Sequence, residues 1–373
     1  MRNALLVVAT LKNGTYNGRK NIGDYIQSLA SELFFEKIDE YIDREKLKEY
    51  KSKYGEIKMI MNAWYMWYPE NWPPSDDILP LLISMHFSPI NASRMLSTNG
   101  INYLRKHGPV GCRDKETENL LKQYDIPCYF SGCLTLVLGE KYKSHNKKKQ
   151  VIFVDPYLEV ICKKNERFLI VKTILNILNC LYFGIINIEK IKLLKEKFHH
   201  SNIRDNKLRN ILLFLCTAAF YKTYSSYFDD QLLFNAEYFS HMVKVGEKTS
   251  IISEEDKLNY ARNLLQKYAE ASLVITSRLH CALPCLGLCT PVIFVTGDRL
   301  ESQSSLMSKN RFGGLINLLR TMQYNNFCLT TDDNTILKKV TVDTVITNKN
   351  DYLPIKDALL KKCYDFVYNN FNI

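Results

Sequence analysis

The sequence predicts an α/β fold built in two halves, on three observations. Runs rich in Val, Ile and Leu alternate with amphipathic runs of helical period, the form taken by mainly parallel strands with helices between them. A polar, strongly basic run, "GEKYKSHNKKKQ" from Gly139 to Gln150, breaks that alternation before a fresh strand, "VIFVDP", begins at Val151. The 373 residues also suffice for two ordinary domains, each with its own core. The predicted division is an N-terminal α/β domain over 1–140, a C-terminal α/β domain over 151–350 and a closing amphipathic helix over 355–371.

In the first half, strands are expected over residues 4–9, 57–62, 79–84, 109–112 and 127–130, with helices over 23–38, 93–107 and 115–124. The second half continues with an apolar helical insertion, 168–228, then a helix over 254–270, a strand over 272–276, a helix opening near Arg278 and a strand over 292–295.

Apolar and charged fractions of 46% and 24% are those of a soluble globular protein. The formal charge of +11 favours anionic partners such as phosphorylated metabolites, lipid headgroups or nucleic acid. The opening "MRNALLVVATLKNG" reads as a buried strand rather than an export signal, so a cytoplasmic setting is expected. The eleven cysteines are scattered, several in apolar runs, as buried free thiols are. Cys281, Cys285 and Cys289 recur every four residues, but the third falls past a helix end and no CxxC pair closes a zinc site, so packing is expected and no metal.

The run "FLIVKTILNILNCLYFGIINI", Phe168 to Ile188, is long enough to raise a membrane span. Lys172, Asn176 and Asn179 form a polar stripe that argues against one. With the basic "EKIKLLKEKFHH" that follows, two readings remain: a packing helix with a charged outer face, and a helix lying on an anionic membrane surface.

Chemistry concentrates in "ITSRLHCALPCLGLCTPVIFV", Ile275 to Val295. Here a β-branched strand leads to Ser277, with the side chain of a helix N-cap, and then to Arg278, Leu279 and His280 in a first helical turn. Ligands of open α/β sheets bind at such strand ends. First-turn N–H groups and the helix dipole hold anions there, and an arginine adds a two-pronged donor. His280 in that turn suits a ligand-triggered general acid. The alternative is that Arg278 only covers apolar surface and His280 caps a carbonyl.

The phrase "LVITSRLHCALPCLGLCTPVIFV", preceded by "YARNLLQKYAEA", resembles the C-terminal signature of the polysaccharide pyruvyl transferase family. "NIGDYIQSLA" from Asn21 resembles that family's N-x-G-D stretch, and "GCRDKETENLLKQYDIP" from Gly111 its R-D-x-x-[S/T] segment. One departure is the loop after the strand at 127–130, which has "SGCLTLVL" where many members carry Asp-Pro. In their own right, Asn21 and Asp24 lie just past the first strand, where a carboxylate can accept a sugar hydroxyl's proton or simply sit in a helix's first turn. Arg113 follows a short strand and should project into the same region, with Asp114 as a helix N-cap. The stretch "NAWYMWYPENWPPSDDILPLLISMHFSP" offers Trp64, Tyr65, Trp67, Trp72 and His86 as an acceptor-lining set, since aromatic faces stack on sugar rings. Lys12 and Tyr16 carry no assigned role.

The resemblance implies two Rossmann-like domains facing across a cleft in a GT-B-like arrangement. It also implies transfer of the pyruvyl group of phosphoenolpyruvate to a sugar of a surface polysaccharide (exopolysaccharide) or its lipid-linked precursor. The roles that follow are His280 as acid, Asp24 as base, Arg278, Arg113 and Ser277 on the donor, and Asn21, Trp64, Trp67, Trp72 and His86 on the acceptor. Phosphoenolpyruvate is then a co-substrate, with no cofactor and no metal. Peripheral contact with the inner face of a membrane is an accompanying expectation, and nucleic acid is not a partner. The alternatives are a GT-B-type glycosyltransferase using a nucleotide sugar and a non-catalytic binding protein of the same fold. No Walker loop, G-x-G-x-x-G, H-E-x-x-H or G-x-S-x-G is present, which argues against nucleotide hydrolysis, dehydrogenation, metalloproteolysis and serine hydrolysis.

Overall fold

A computed structural model describes residues 1–9, 18–160, 169–198, 208–246, 249, 251–297, 312–334, 336 and 339–368. The first half runs β1 (Arg2–Val7), β2 (Arg19–Asn21), α1 (Ile22–Glu32), β3 (Glu40–Asp43), β4 (Ile57–Met61), β5 (Trp64–Tyr65) and β6 (Ile78–Leu82). It continues through β7 (His86–Phe87), α2 (Ala92–Met95), α3 (Thr98–His107), β8 (Val110–Cys112), α4 (Lys115–Lys122), β9 (Cys128–Phe130) and α5 (Gly139–Tyr142). The second half runs β10 (Val151–Val154), α6 (Leu169–Ile186), α7 (Ile188–Lys197), α8 (Arg209–Tyr224), α9 (Asp230–Asn235), β11 (Glu237–Phe239) and β12 (Met242–Lys244). It closes with α10 (Glu254–Glu270), β13 (Leu273–Thr276), α11 (Leu279–Gly287), β14 (Val292–Gly297), β15 (Arg320–Asn325), β16 (Cys328–Thr330) and α12 (Leu353–Tyr368).

The expected α/β class is borne out. One sheet has strand order β3-β1-β4-β6 and is parallel throughout. The other has order β11-β10-β13-β14-β15-β16, parallel except for the final hairpin. Alternation along β1 sends Leu5 and Val7 into a core shared with the second sheet, and Ala4 and Leu6 into a separate cluster on the opposite face. Most strands that sequence reading missed are short or lie at an edge, as β3 does, a four-residue edge strand of mixed burial; β15 is six residues long and lies between β14 and β16, but its polar "RTMQYN" has no apolar run to announce it. The expected helix over 93–107 is two helices, because the Ser97 side chain accepts from Gly100 N and starts a new one.

The halves are tied by contacts that position the site. β2 pairs antiparallel with β12, and Ile22 N donates to His241 O at 2.8 Å. Tyr25 of α1 donates to Glu254 of α10 at 2.6 Å, and Arg262 pairs with Glu32. α12 returns to the first sheet, where Lys58 Nζ donates to Phe366 O and Val367 O at the helix end. The basic run at 139–150 is anchored, with Lys147 Nζ donating to Ala269 O at 2.6 Å and Lys148 pairing with Glu270.

At one place the backbones of the two halves nearly touch. A Cβ on Gly287 would stand 2.3 Å from Leu136 O, and one on Gly139 1.9 Å from Gly287 O. Both are backbone atoms, so the neighbour cannot swing aside. Gly287→Ala is expected to lose about 1–3 kcal/mol of stability, the usual cost of overpacking a tight contact, measured as a lower urea midpoint with unchanged slope.

Candidate active site

β10 and β13 are adjacent and parallel, with Val154 opposite Thr276, so the residues after each strand emerge side by side. Thr276 Oγ1 donates to Val154 O at 2.8 Å and accepts from Arg278 N at 2.9 Å, which fixes the turn into α11. Ser277 is not the N-cap: its hydroxyl donates to Val295 O at 2.7 Å, and Arg278 occupies the cap position with no side-chain cap bond. The hydroxyl is used to join two strand ends, and the first-turn N–H groups of α11 carry no cap from it.

Arg278 is held by a residue that sequence reading did not single out. Its Nε donates to Asp155 Oδ2 at 2.8 Å, and the same oxygen accepts from His241 N at 3.0 Å. Burial alone would raise the Asp155 pKa, but the positive charge of Arg278 and the hydrogen bond from His241 N hold it below the usual carboxylate value. Asp155 has φ +40°, a left-handed backbone unusual for a side chain with a Cβ and typical of functional sites. His241 Nε2 lies 3.0 Å from the Tyr268 hydroxyl, so the imidazole is fixed from behind. The signal for Asp155 was present as the Asp-Pro that ends "VIFVDP"; His241 had no local signal.

The first turn of α1 meets this group. Asn21 is its N-cap, accepting from Gly23 N at 3.1 Å, and Asp24 follows in the first turn. Asp24 Oδ1 stands 4.0 Å from His280 Nδ1, and both side chains are largely buried. Gly23 permits that approach: a Cβ there would lie 2.8 Å from His241 Nδ1 and 3.2 Å from His280 Cβ.

Arg113 enters from the end of β8. It is fully buried at 0% exposure, and among the described residues none of its three guanidinium nitrogens has a hydrogen-bond partner. Burial pulls its pKa below the ordinary arginine value, opposed by Asp114, Cys133 and Asp24, and it stays charged at neutral pH. Asp114, 3.9 Å from Arg113 Nε, is the expected N-cap of α4, accepting from Thr117 N at 2.9 Å. Its other oxygen is 2.6 Å from His86 Nδ1, so His86 stands behind Arg113 in a buried pair.

The aromatic stretch divides. Trp64 lies opposite His86 in the β5–β7 pair, stacks over buried Arg44 at 3.9 Å and meets Trp67 edge to face at 4.6 Å. Both tryptophans are partly exposed. Trp72 is 4% exposed, packed among Tyr65, Phe87 and Tyr103, and therefore belongs to the core cluster of the first half. Lys12 and Tyr16 lie outside the described residues.

Lys20 is a further group that the sequence did not mark. It is 4% exposed, donates to Ala9 O at 2.6 Å, and burial lowers its pKa to about 8, with Asp24 working the other way and Lys257 reinforcing it. Among the described residues no group of three His, Cys, Asp or Glu side chains is arranged to hold a metal ion. The Cys281 thiol would be raised by burial, but hydrogen bonds from Cys285 and His241 bring it down to about 6.

Fold and site thus define an α/β protein in which Asp24 meets His280, with Lys20 and Arg113 within the field of Asp24 and Arg278 two residues from His280, a setting for a small, multiply charged anion. A family model described as polysaccharide pyruvyl transferase matches residues 21–299, from Asn21 past β14, and the chain belongs to that family, whose members are transferases acting on polysaccharides. No curated protein and no solved structure gives a match.

The lowered Lys20 value has a signed consequence. The fold binds this proton less tightly than the unfolded chain, so Lys20's contribution to stability is flat below pH 8 and rises from about 8 towards 10.5. Loss of its charge above pH 8 also weakens the field for an anion. Lys20→Met is expected to remove that rise in a wild-type-minus-variant comparison of urea unfolding across pH 7 to 10.

Proposed function

We propose that this protein transfers the pyruvyl group of phosphoenolpyruvate to two hydroxyls of one sugar, forming a cyclic ketal on a surface polysaccharide or its lipid-linked precursor. The observation that carries the reading is Arg113: a fully buried guanidinium with no hydrogen-bond partner among the described residues, ion-paired with Asp114 at 3.9 Å and within the field of Asp24. Other buried polar atoms here also lack a hydrogen bond, but Arg113 alone among these side chains leaves all three guanidinium nitrogens without one, and such a set of donors fits an anionic ligand.

In this scheme His280 delivers a proton to the methylene carbon of phosphoenolpyruvate. One sugar hydroxyl, losing its proton to Asp24, adds to the adjacent carbon. Phosphate then leaves and the second hydroxyl closes the ketal. The two hydroxyl protons are balanced by the new methyl hydrogen and by the phosphate released. Arg278 and Arg113 hold carboxylate and phosphate, with stabilisation of the departing charge the largest contribution. The 4.0 Å between Asp24 and His280 suits a pair that exchanges a proton through the substrate.

The same reading arranges two Rossmann-like domains across a GT-B-like cleft, the acceptor on residues 1–140 and the donor on 151–350. In support, β10 and β13 lead at their carboxyl ends to Asp155 and Arg278, and Ala9, just past β1, accepts from Lys20. Trp64 and Trp67, still partly exposed, are the aromatic faces available to a sugar, while His86 acts by positioning Asp114 and Arg113. Phosphoenolpyruvate is a co-substrate, and a lipid-linked acceptor brings the enzyme to the inner face of a membrane.

Thermal unfolding tests the donor. Phosphoenolpyruvate at about a hundred times its Kd should stabilise the native protein by about 2.7 kcal/mol, with UDP- and GDP-sugars inactive. His280→Ala should keep that shift and lose turnover, whereas Arg278→Ala should lose the shift. A shift with a nucleotide sugar instead would move the protein to the glycosyltransferases.

A further inference from the structure

The helical insertion adds a layer that the transfer site does not explain. α8 packs directly on the second sheet, with Phe220 and Tyr224 against Phe153 of β10. α6 lies outside α8, with Gly184 against Phe214 and Ala218 and Cys180 buried. That contact uses one side of α6. The other side bears Val171, Ile174, Leu178, Tyr182 and Ile185, spaced by three and four residues and all more than half exposed. Lys172 and Asn179 of the expected polar stripe lie along its margin, Asn179 accepting from Lys222, so the stripe borders the apolar arc instead of forming the outer face. Most of the exposed large apolar side chains among the described residues fall within α6, α7 and the start of α8.

α6 and α8 run antiparallel, Lys222 meeting Asn179 and Phe214 meeting Gly184, so exposed Ile211 and Leu212 lie at the same end as Ile185. Basic residues flank the arc along the chain: Lys172 at one end, and Lys192, Lys195 and Arg209 at the other, Lys192 pairing at 2.9 Å with Glu189, which with Glu196 makes up the acids of α7. No single helix among the described residues is long and apolar enough to cross a membrane, and α6 and α7 meet at a bend of 103°.

We infer that α6, with the start of α8, is an in-plane docking surface for an anionic lipid bilayer. A contiguous apolar arc on a helix that turns sharply at its end matches the acyl boundary, and lysines at both ends match anionic headgroups. The inference extends the proposed use of a lipid-linked acceptor by naming the element that meets the membrane, and its test needs no turnover.

The test is flotation of the full-chain protein with vesicles of phosphatidylcholine alone or mixed equally with phosphatidylglycerol. Wild type should float with the mixed vesicles and far less with phosphatidylcholine. Leu178→Glu with Tyr182→Glu should abolish flotation, and reversing Lys192 and Lys195 should lower it by about fivefold or more for each lysine. Circular dichroism and the phosphoenolpyruvate-induced thermal shift, taken on the same preparations, report folding and the donor site separately, so loss of that shift alone would count only against the transfer reading. No flotation by wild type, equal flotation by the arc variant, or indifference to phosphatidylglycerol would overturn the inference. So would a wild-type dimer that Leu178→Glu turns to monomer, since a second copy would then cover this face.

Discussion

Everything at the site depends on keeping one guanidinium, that of Arg113, out of water without giving it a hydrogen-bonding partner. An ion in that position costs several kcal/mol even after relaxation, and the fold offsets the cost with charge rather than with hydrogen bonds. Asp114 stands 3.9 Å away, itself fixed by His86 and by the backbone of α4, and Asp24 adds its field from the other side. The result is a cation whose donors are reserved and whose position is rigid. Such a group contributes most where negative charge is added or redistributed, which is the physical link from this packing to the proposed transfer from a phosphorylated donor.

Arg278 is positioned by a different device. Arg278 is partly exposed, so it is held in place by a carboxylate, and Asp155 adopts a left-handed backbone to present that carboxylate to both Arg278 and His241 N. The turn hydrogen bonds from Thr276 and Ser277 lock the strand ends from which these residues emerge. α1 brings Asp24 to His280, and the absence of a side chain at Gly23 lets it come that close. Rigid strand ends and one close helix approach therefore set the geometry, as preorganised sites require.

Much of this was legible in the sequence, and the limit of legibility has a physical cause. The strand-and-helix alternation, the Arg278 and His280 turn and the Arg113–Asp114 pair are local patterns, and the structure places them at strand ends as those patterns imply. Asp155, His241 and Lys20 are different. They acquire their roles through pairing between segments far apart, β2 with β12 and β10 with β13, and no spacing along the chain records such a meeting. The aromatic loop shows a second limit: composition identified the stretch, but only packing separates Trp72 in the core from the partly exposed Trp64 and Trp67. α6 shows a third, since a polar stripe tells that a helix has sides without telling which side the fold will cover.

The most direct test of the account is Arg113→Met, measured for thermal stability without ligand and for phosphoenolpyruvate affinity by calorimetry. Methionine keeps the length and removes the buried charge. If Arg113 is held for the donor, the variant should lose donor binding, while its stability is set by two opposing effects, relief of one buried ion and loss of the Arg113–Asp114 ion pair, the second costing up to about 3–5 kcal/mol. A variant that is less stable and binds phosphoenolpyruvate as wild type does would make Arg113 a structural residue and contradict the account.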